Sequence, residues 1–389
     1  MSSEKYYQSF LEHNKYPRIL KPCDPISAMH VRLQGRELIN FSSSDYLGLS
    51  HHPLLIEGAY ESTKQWGMGA GASRLVTGNI SLYDTLEKKI AVMMRKPSAL
   101  IMGSGYQTNS AVLEALLNPT VLGKKALVFC DRFCHASLLS TISLMTDIKP
   151  FRHNDCDHLE ALLKKYEKTD SPKTIIVESL YSMDGDIAPL ERIVALAKQY
   201  QAFLYVDDAH AVGVYGDNGC GIAAAFADGI DIIMGTFSKA LGSFGGYIAC
   251  SDVCRDYLIN TCKGLIYATA MSPAVLGAMD AALDVLPSMD EARARLAAHA
   301  IRVRQCFDQQ KIEYGASSTH IIPWIIGGAE KTVTVSQQLE ERGILGICIR
   351  PPSVKVGKSR IRFCLSAVHS DEDIETLLEA VISTGRSVA

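Results

Sequence analysis

Long apolar runs, Cys-x-x-Cys pairs, internal repeats and a pronounced net charge are all missing from this sequence. No stretch approaches the ~20 apolar residues that a membrane-crossing helix needs. The polar opening Met1-Ser2-Ser3-Glu4-Lys5-Tyr6-Tyr7 lacks the apolar core of a secretory signal. A cytoplasmic protein that does not enter a membrane is therefore the expectation. The 11 cysteines are odd in number, which argues against a disulfide framework, and their spacing does not suit a zinc site. Cys130 with Cys134, and Cys250 with Cys254, are Cys-x-x-x-Cys pairs without a histidine cluster nearby, and read as packing residues of a reduced protein. With a net charge of only −3, there is no electrostatic reason to expect nucleic acid as a partner.

What the chain has is size and alternation. Its 389 residues, 47% of them hydrophobic, suffice for two or three domains at ~150 residues each. Ala126–Cys130, Thr174–Val177, Phe203–Val206, Ile230–Met234 and Tyr247–Cys250 are short apolar runs that predict strands buried on both faces. Helical patterns such as Leu159–Tyr166 and Leu190–Tyr200 fall between them, which predicts an α/β fold with a largely parallel sheet. After Leu286 the pattern changes to a charged helix over Glu291–Gln309, a strand at Ile321–Ile326, a helix near Val333–Arg342, further strands and a last helix near Glu372–Ile382. Pro17, Pro22, Pro25 and a short strand at Glu37–Phe41 make the opening segment an arm. The expected division is an arm over 1–45, a large domain over 46–286 and a smaller α+β domain over 287–389.

Chemistry concentrates at a few strand ends. Thr236-Phe237-Ser238-Lys239-Ala240-Leu241-Gly242 places one lysine among small residues after the run Ile230–Met234. Shielded from water, such an amine has a lowered pKa and attacks carbonyls; solvated, it merely ends a strand, and the segment alone allows both. Val206-Asp207-Asp208-Ala209-His210 follows another strand, and a carboxylate at a strand's carboxyl end faces the ligand crevice of an open α/β sheet. Asp207 and Lys239 together suit a pyridine aldehyde such as pyridoxal phosphate (PLP), whose ring nitrogen the carboxylate keeps protonated so that the ring accepts the electrons of a substrate carbanion. Asp208 points to the opposite side of the strand and is expected to be structural. His210 reads either as a cofactor or substrate contact or as a satisfied structural histidine. Gly103-Ser104-Gly105-Tyr106 precedes the helical pattern Thr108–Leu117, and amides there could hold a phosphate, although the same residues also make ordinary turns. Arg360-Ile361-Arg362 alternates like a strand and puts two guanidinium groups on one face, suited to a carboxylate or simply to solvent.

From Phe41-Ser42-Ser43-Ser44-Asp45-Tyr46-Leu47-Gly48-Leu49 to Ile361-Arg362-Phe363-Cys364-Leu365-Ser366-Ala367-Val368-His369, these ordered motifs resemble the α-oxoamine synthase family, a branch of the fold-type I PLP enzymes. The resemblance implies a PLP-transferase fold with a mostly parallel seven-stranded sheet, a smaller C-terminal α+β domain, an N-terminal arm, and a homodimer with shared active sites. It implies that Lys239 carries PLP, that Asp207 pairs with the ring nitrogen, and that His135, in Asp131-Arg132-Phe133-Cys134-His135-Ala136-Ser137, stacks on the ring. His210 is a further cofactor contact, Ser182 reaches the phenolic oxygen, and Gly105, Tyr106 and Thr236 surround the phosphate. Thr269, in Ile266-Tyr267-Ala268-Thr269, corresponds to a threonine that reaches the phosphate bound by the other subunit. Arg362 is implied for the amino-acid carboxylate, with Arg350, in Ile349-Arg350-Pro351-Pro352, and Ser44 as further substrate contacts. Many members carry asparagine where Ser44 stands, and serine lacks the amide donor. The glycine-dense segment Gly67–Gly78 lies near the active site and dimer contact in the family. Without the family context, His135 equally caps a helix, Ser182 sits in an Asx-turn loop, and Arg350 precedes a surface Pro-Pro turn.

The reaction so implied is the decarboxylative condensation of L-alanine with a pimeloyl thioester, carried on coenzyme A or on an acyl carrier protein. Sister activities that join glycine or serine to acetyl or palmitoyl thioesters, or that make acyl-ketone signals, use the same lysine, aspartate and histidine, so these residues do not discriminate among them. A non-catalytic PLP-binding or interaction protein on the same fold is a further alternative. No metal is expected.

Overall fold

The computed structural model describes residues 3–13 and 17–388, so residues 1, 2 and 14–16 of the expected arm lie outside it. Seven strands form one sheet in the order Ser98–Met102, Gly246–Cys250, Ile232–Thr236, Phe203–Asp207, Lys173–Glu178, Leu127–Asp131, Asp147–Phe151. The last five run parallel, and Gly246–Cys250 is antiparallel to both its neighbours. Every residue of Leu127–Asp131, Ile232–Thr236 and Gly246–Cys250 is buried, because helices cover both faces of the sheet. Alternate residues of one strand therefore enter different cores. Leu204 and Val206 pack with Leu159, Ile193 and Leu196 of the helices Cys156–Lys165 and Leu190–Gln199. Tyr205 packs on the other side with Val112 of the helix Gly105–Leu116. Cys130 and Cys250 are buried in that second core as apolar packing groups.

Two strands escape the periodicity argument. Asp147–Phe151 is the sheet's edge, with a polar sequence that includes Pro150, and edge strands tolerate both features. Ser98–Met102 forms the opposite edge, paired only to Gly246–Cys250. The helices Pro53–Trp66 and Pro273–Val285 cross so closely that a Cβ on Gly277 would stand 2.2 Å from the Gly58 carbonyl oxygen, so neither glycine tolerates a side chain without separating the helices.

Beyond residue 286, an antiparallel sheet has Ser359–Cys364 between Ile321–Gly327 and Ile347–Ile349, with the helices Asp290–Gln309, Ala329–Glu341 and Asp371–Val388. The opening segment is more structured than its sequence suggests. Besides the helix Glu4–His13 it has three strands, Cys23–Pro25, His30–Leu33 and Arg36–Asn40, where a single strand is expected, and Ile344–Leu345 pairs in parallel with the last of them. Cys23–Pro25 is wholly exposed, which leaves no apolar pattern to read. The next residues run beside the C-terminal sheet: Cys364 N–H donates to Phe41 O (2.8 Å) and Ala367 N–H to Tyr46 O (2.8 Å). Tyr46 and Arg362 are thereby carried on adjoining segments. Among the described residues no helix is long and apolar enough to cross a membrane.

Candidate active site

Asp131, Glu178, Asp207 and Thr236 end four neighbouring parallel strands on one edge of the sheet, where open α/β sheets place their ligands. Lys239 follows three residues after Thr236.

Asp207 is buried and accepts hydrogen bonds from Asn109 Nδ2 (2.7 Å) and the Ala209 N–H (3.0 Å). Asn109 is a hub. Its Oδ1 accepts from Tyr205 OH (2.8 Å), which fixes the amide's orientation, and its Nδ2 also donates to Ser137 Oγ (3.0 Å). Ser137 Oγ lies 2.7 Å from His135 Nδ1, and the same nitrogen accepts from the Ser137 N–H (3.3 Å), so the ring proton sits on Nε2. His135 thus caps the short helix Ala136–Leu139 and is also wired, through Ser137 and Asn109, to Asp207. Its own N–H donates to Glu178 Oε1 (2.6 Å).

Burial sets the charges of the cluster. It lowers the Lys239 pKa against the opposing pull of Asp207 and Glu178, with Arg362 adding to the fall. Part of the lysine side chain stays accessible, so a small molecule has a route to it. Burial and the adjacent Asp207 push Glu178 up to about 8. His135 is lowered by burial and His210 well below its usual value for the same reason, so both rings are neutral at pH 7. His210 Nδ1 is 2.7 Å from the hydroxyl of Tyr46, a fully buried phenol that also interacts with Ser44. Asp208 points the other way, bonded to Ser179 Oγ and the Ala223 N–H, as a structural carboxylate.

The helix Gly105–Leu116 begins against the strand end that carries Thr236. A Cβ on Gly105 would stand 3.2 Å from Met234 Cε and 3.4 Å from Thr236 Oγ1. Ser104 caps the helix by accepting from the Gln107 N–H (3.2 Å). Tyr106 is exposed, its hydroxyl 3.1 Å from Ser140 Oγ. Thr236 Oγ1 donates to Gly245 O (2.7 Å).

Arg360 and Arg362 do lie on one face, and that face meets the loop after Glu178 instead of solvent. Arg360 Nη1 donates to Met183 O (3.0 Å) and Asp184 Oδ1 (2.7 Å), while Arg362 Nη1 donates to Ser182 O (3.2 Å). Arg362 Nε is buried with no hydrogen-bond partner, a donor left over for an anionic group. Thr269 stands apart, exposed and bridged to Ser73. Arg350 packs by Cys348 and reaches Pro17 O (3.5 Å).

Sequence reasoning misses Asn109, Glu178 and Tyr46. Each leaves a trace: a polar residue on the buried face of a helix, a carboxylate ending the apolar run Ile175–Val177, and a tyrosine inside a motif quoted for its neighbours.

The donor set fits PLP: a lysine of lowered pKa, a buried carboxylate for a ring N–H, helix amides at Gly105 and Tyr106 for a phosphate, and a guanidinium whose Nε–H is unpaired for a substrate carboxylate. Sheet order and site together define a PLP-dependent transferase of fold type I. The chain belongs to the class I and II aminotransferase family, whose model matches residues 36–381. It is 49% identical over 366 residues to a protein of Paramagnetospirillum magneticum named provisionally as an 8-amino-7-oxononanoate synthase, covering 94% of this chain and 93% of that one. It is 45% identical over 380 residues to the 8-amino-7-oxononanoate synthase of Gluconacetobacter diazotrophicus, covering 97% and 95% of the two chains. Among solved structures, serine palmitoyltransferase from S. paucimobilis with bound PLP and myriocin superposes with a TM-score of 0.90 at 25% identity, covering 99% of this chain and 97% of that one.

Proposed function

We propose that the chain is a PLP-dependent acyltransferase that condenses L-alanine with a pimeloyl thioester, releasing carbon dioxide and the thiol and forming 8-amino-7-oxononanoate, a step of biotin biosynthesis. The observation that carries it is the convergence of Lys239, Asp207 and Arg362, from three separate strands or the turn after one, into one cluster whose members act on each other's charge. The 45% identity to a named synthase, against 25% to a serine palmitoyltransferase, supports the oxononanoate branch over its sister.

PLP, when bound, supplies the carbonyl that captures the amino group of alanine and the electron sink that stabilises a carbanion at its Cα. The rest is work for the protein's own side chains. Lys239, uncharged more readily than a surface lysine, is the covalent attachment point and then the base that takes the Cα proton on Nζ. Asp207, held by Asn109, accepts the ring N–H. His135 would hold the ring on one face, and His210, its Nδ1 engaged by Tyr46, would offer Nε2 to the cofactor. Ser182 serves the phenolic oxygen. Gly105, Tyr106 and Thr236 would hold the phosphate, with Thr269 reaching it from a second subunit. Arg362 holds the alanine carboxylate until it leaves as carbon dioxide, and Arg350 and Ser44 contact substrate.

In the division into an arm over 1–45, a large domain over 46–286 and a small domain over 287–389, the large domain holds PLP and the small one brings Arg362 to it. The homodimer that this reading requires is supported by exposed Leu75, Val76 and Tyr267 near Thr269, apolar groups suited to burial against another copy. A cytoplasmic location agrees with these substrates.

The test is product analysis of the PLP-loaded protein supplied with alanine, glycine or serine and with pimeloyl, acetyl or palmitoyl thioesters on coenzyme A, and with pimeloyl acyl carrier protein. Ketone from alanine and pimeloyl thioester is expected; turnover confined to serine with palmitoyl-CoA, or to glycine with acetyl-CoA, would refute the reading.

A further inference from the structure

His153 has no part in the reaction as described, yet it occupies the junction of the two loops that the reaction depends on. Its Nδ1 is 3.0 Å from Asp131 Oδ1 and its Nε2 is 2.8 Å from Asp186 Oδ2. A neutral imidazole has one N–H and ionised carboxylates only accept, so two such contacts require a proton on each nitrogen. The ring stacks on Phe133 (centroids 4.3 Å apart, planes at 28°) and meets Tyr181 edge-on (4.5 Å, 88°). Asn154 doubles the clasp, its N–H donating to Asp131 Oδ2 (2.8 Å) and its Nδ2 to Asp186 Oδ2 (2.8 Å).

These partners come from two segments. Residues 131–133 lead directly to His135, and 181–186 contains Ser182 and the carbonyl and carboxylate groups that receive Arg360 and Arg362. We propose that His153 is a positioning residue: by donating from both ring nitrogens, to Asp131 and Asp186, it fixes the spacing between the loop that presents His135 and the loop that presents Ser182 and anchors Arg362. What those loops do rests on the function proposed above; the clasp itself does not.

The titratable groups facing the ring are Asp131, Asp186 and Tyr181, and Cys134 and Glu178 act electrostatically on Tyr181. Burial pulls the imidazole pKa down, but the two carboxylates outweigh it and raise it to about 9. Burial keeps Tyr181 from ionising in that range. The unfolded ring titrates near 6.5, so the clasp contributes fully below that pH and is lost as pH rises through about 9.

The experiment uses the full chain. Side-chain 15N NMR of wild type at pH 7.5 should show one histidine protonated on both nitrogens, a signal missing from His153→Gln. PLP affinity, measured by fluorescence titration from pH 7 to 10, should fall in wild type by about tenfold, the order of one charged hydrogen bond. In His153→Gln it should be weak by a similar factor throughout and lack the step, and Asp186→Asn should move the step to lower pH. A neutral ring at pH 7.5, or PLP affinity in His153→Gln equal to wild type, overturns the proposal. If the glutamine variant does not fold, the wild-type NMR signal and Asp186→Asn decide it. Failure of the wild type to make ketone from alanine and pimeloyl-CoA, with the NMR and PLP results intact, refutes the substrate assignment and leaves the clasp standing.

Discussion

Replacing Asn109 with alanine removes three contacts at once. The Asp207 carboxylate loses a 2.7 Å donor, the buried Tyr205 hydroxyl loses its acceptor, and Ser137, the link to His135, loses a 3.0 Å donor. A hydrogen bond to a charged group contributes ~1.5–3 kcal/mol, and a buried hydroxyl left without a partner costs ~1–3 kcal/mol. These terms share one side chain and do not add fully, so a loss of ~2–4 kcal/mol in folding stability is expected. Asp207 also loses the group that orients it, so PLP affinity should weaken about 10–100-fold, at ~1.4 kcal/mol per factor of ten. Urea denaturation of the cofactor-free chain reads the first quantity and fluorescence titration with PLP the second. Tyr205→Phe is the control: it keeps the Asn109 amide nitrogen on Asp207 but leaves the buried Oδ1 without its donor, so it should cost ~1–3 kcal/mol of stability while PLP affinity stays within a fewfold of wild type. If Asn109→Ala binds PLP within twofold of wild type, Asn109 does not orient Asp207 and the hub reading is wrong.

Arg362→Lys keeps the charge but loses the planar fork, so the KM for alanine should rise about 10–100-fold with a smaller change in kcat; a fall in kcat at constant KM would place the arginine elsewhere in the reaction. Glu178 holds its proton up to pH about 8 in the folded chain and releases it near 4.5 when unfolded. At this site the folded state therefore binds more protons across that window, and the contribution of Glu178 to stability falls as pH rises from about 4.5 to 8. Asp208, raised by burial to about 7, adds a decline in the same window, so Glu178→Gln should lose only the part due to Glu178, which urea midpoints measured across the window would show as a shallower profile than wild type; parallel pH profiles for the two proteins would contradict it.

The large sheet was legible because its parallel strands, covered on both faces, must be apolar at nearly every position. Ile232–Thr236 and Phe203–Asp207 declare themselves in that way, and so do the polar groups that end them. The polar edge strand Asp147–Phe151 and the exposed Cys23–Pro25 carry no such constraint and left no signal. In the site, Lys239 and Asp207 stand out as residues of the wrong polarity for their surroundings. Asn109 does not, because its importance lies in contacts to Tyr205, Asp207 and Ser137 that local periodicity does not encode. The arginine pair shows the same limit: alternation puts Arg360 and Arg362 on one face, but only the folded chain shows that the face meets residues 182–184.

The proposed covalent attachment of PLP to Lys239 is read by the visible absorbance of PLP-loaded wild type and Lys239→Ala, followed by borohydride reduction and mass spectrometry of the tryptic peptides. Wild type should show a visible band that shifts on adding L-alanine, with the cofactor trapped on the peptide containing Lys239, and the variant should yield no trapped peptide. Cofactor trapped on another lysine, or a band and alanine response that persist unchanged in Lys239→Ala, would contradict it.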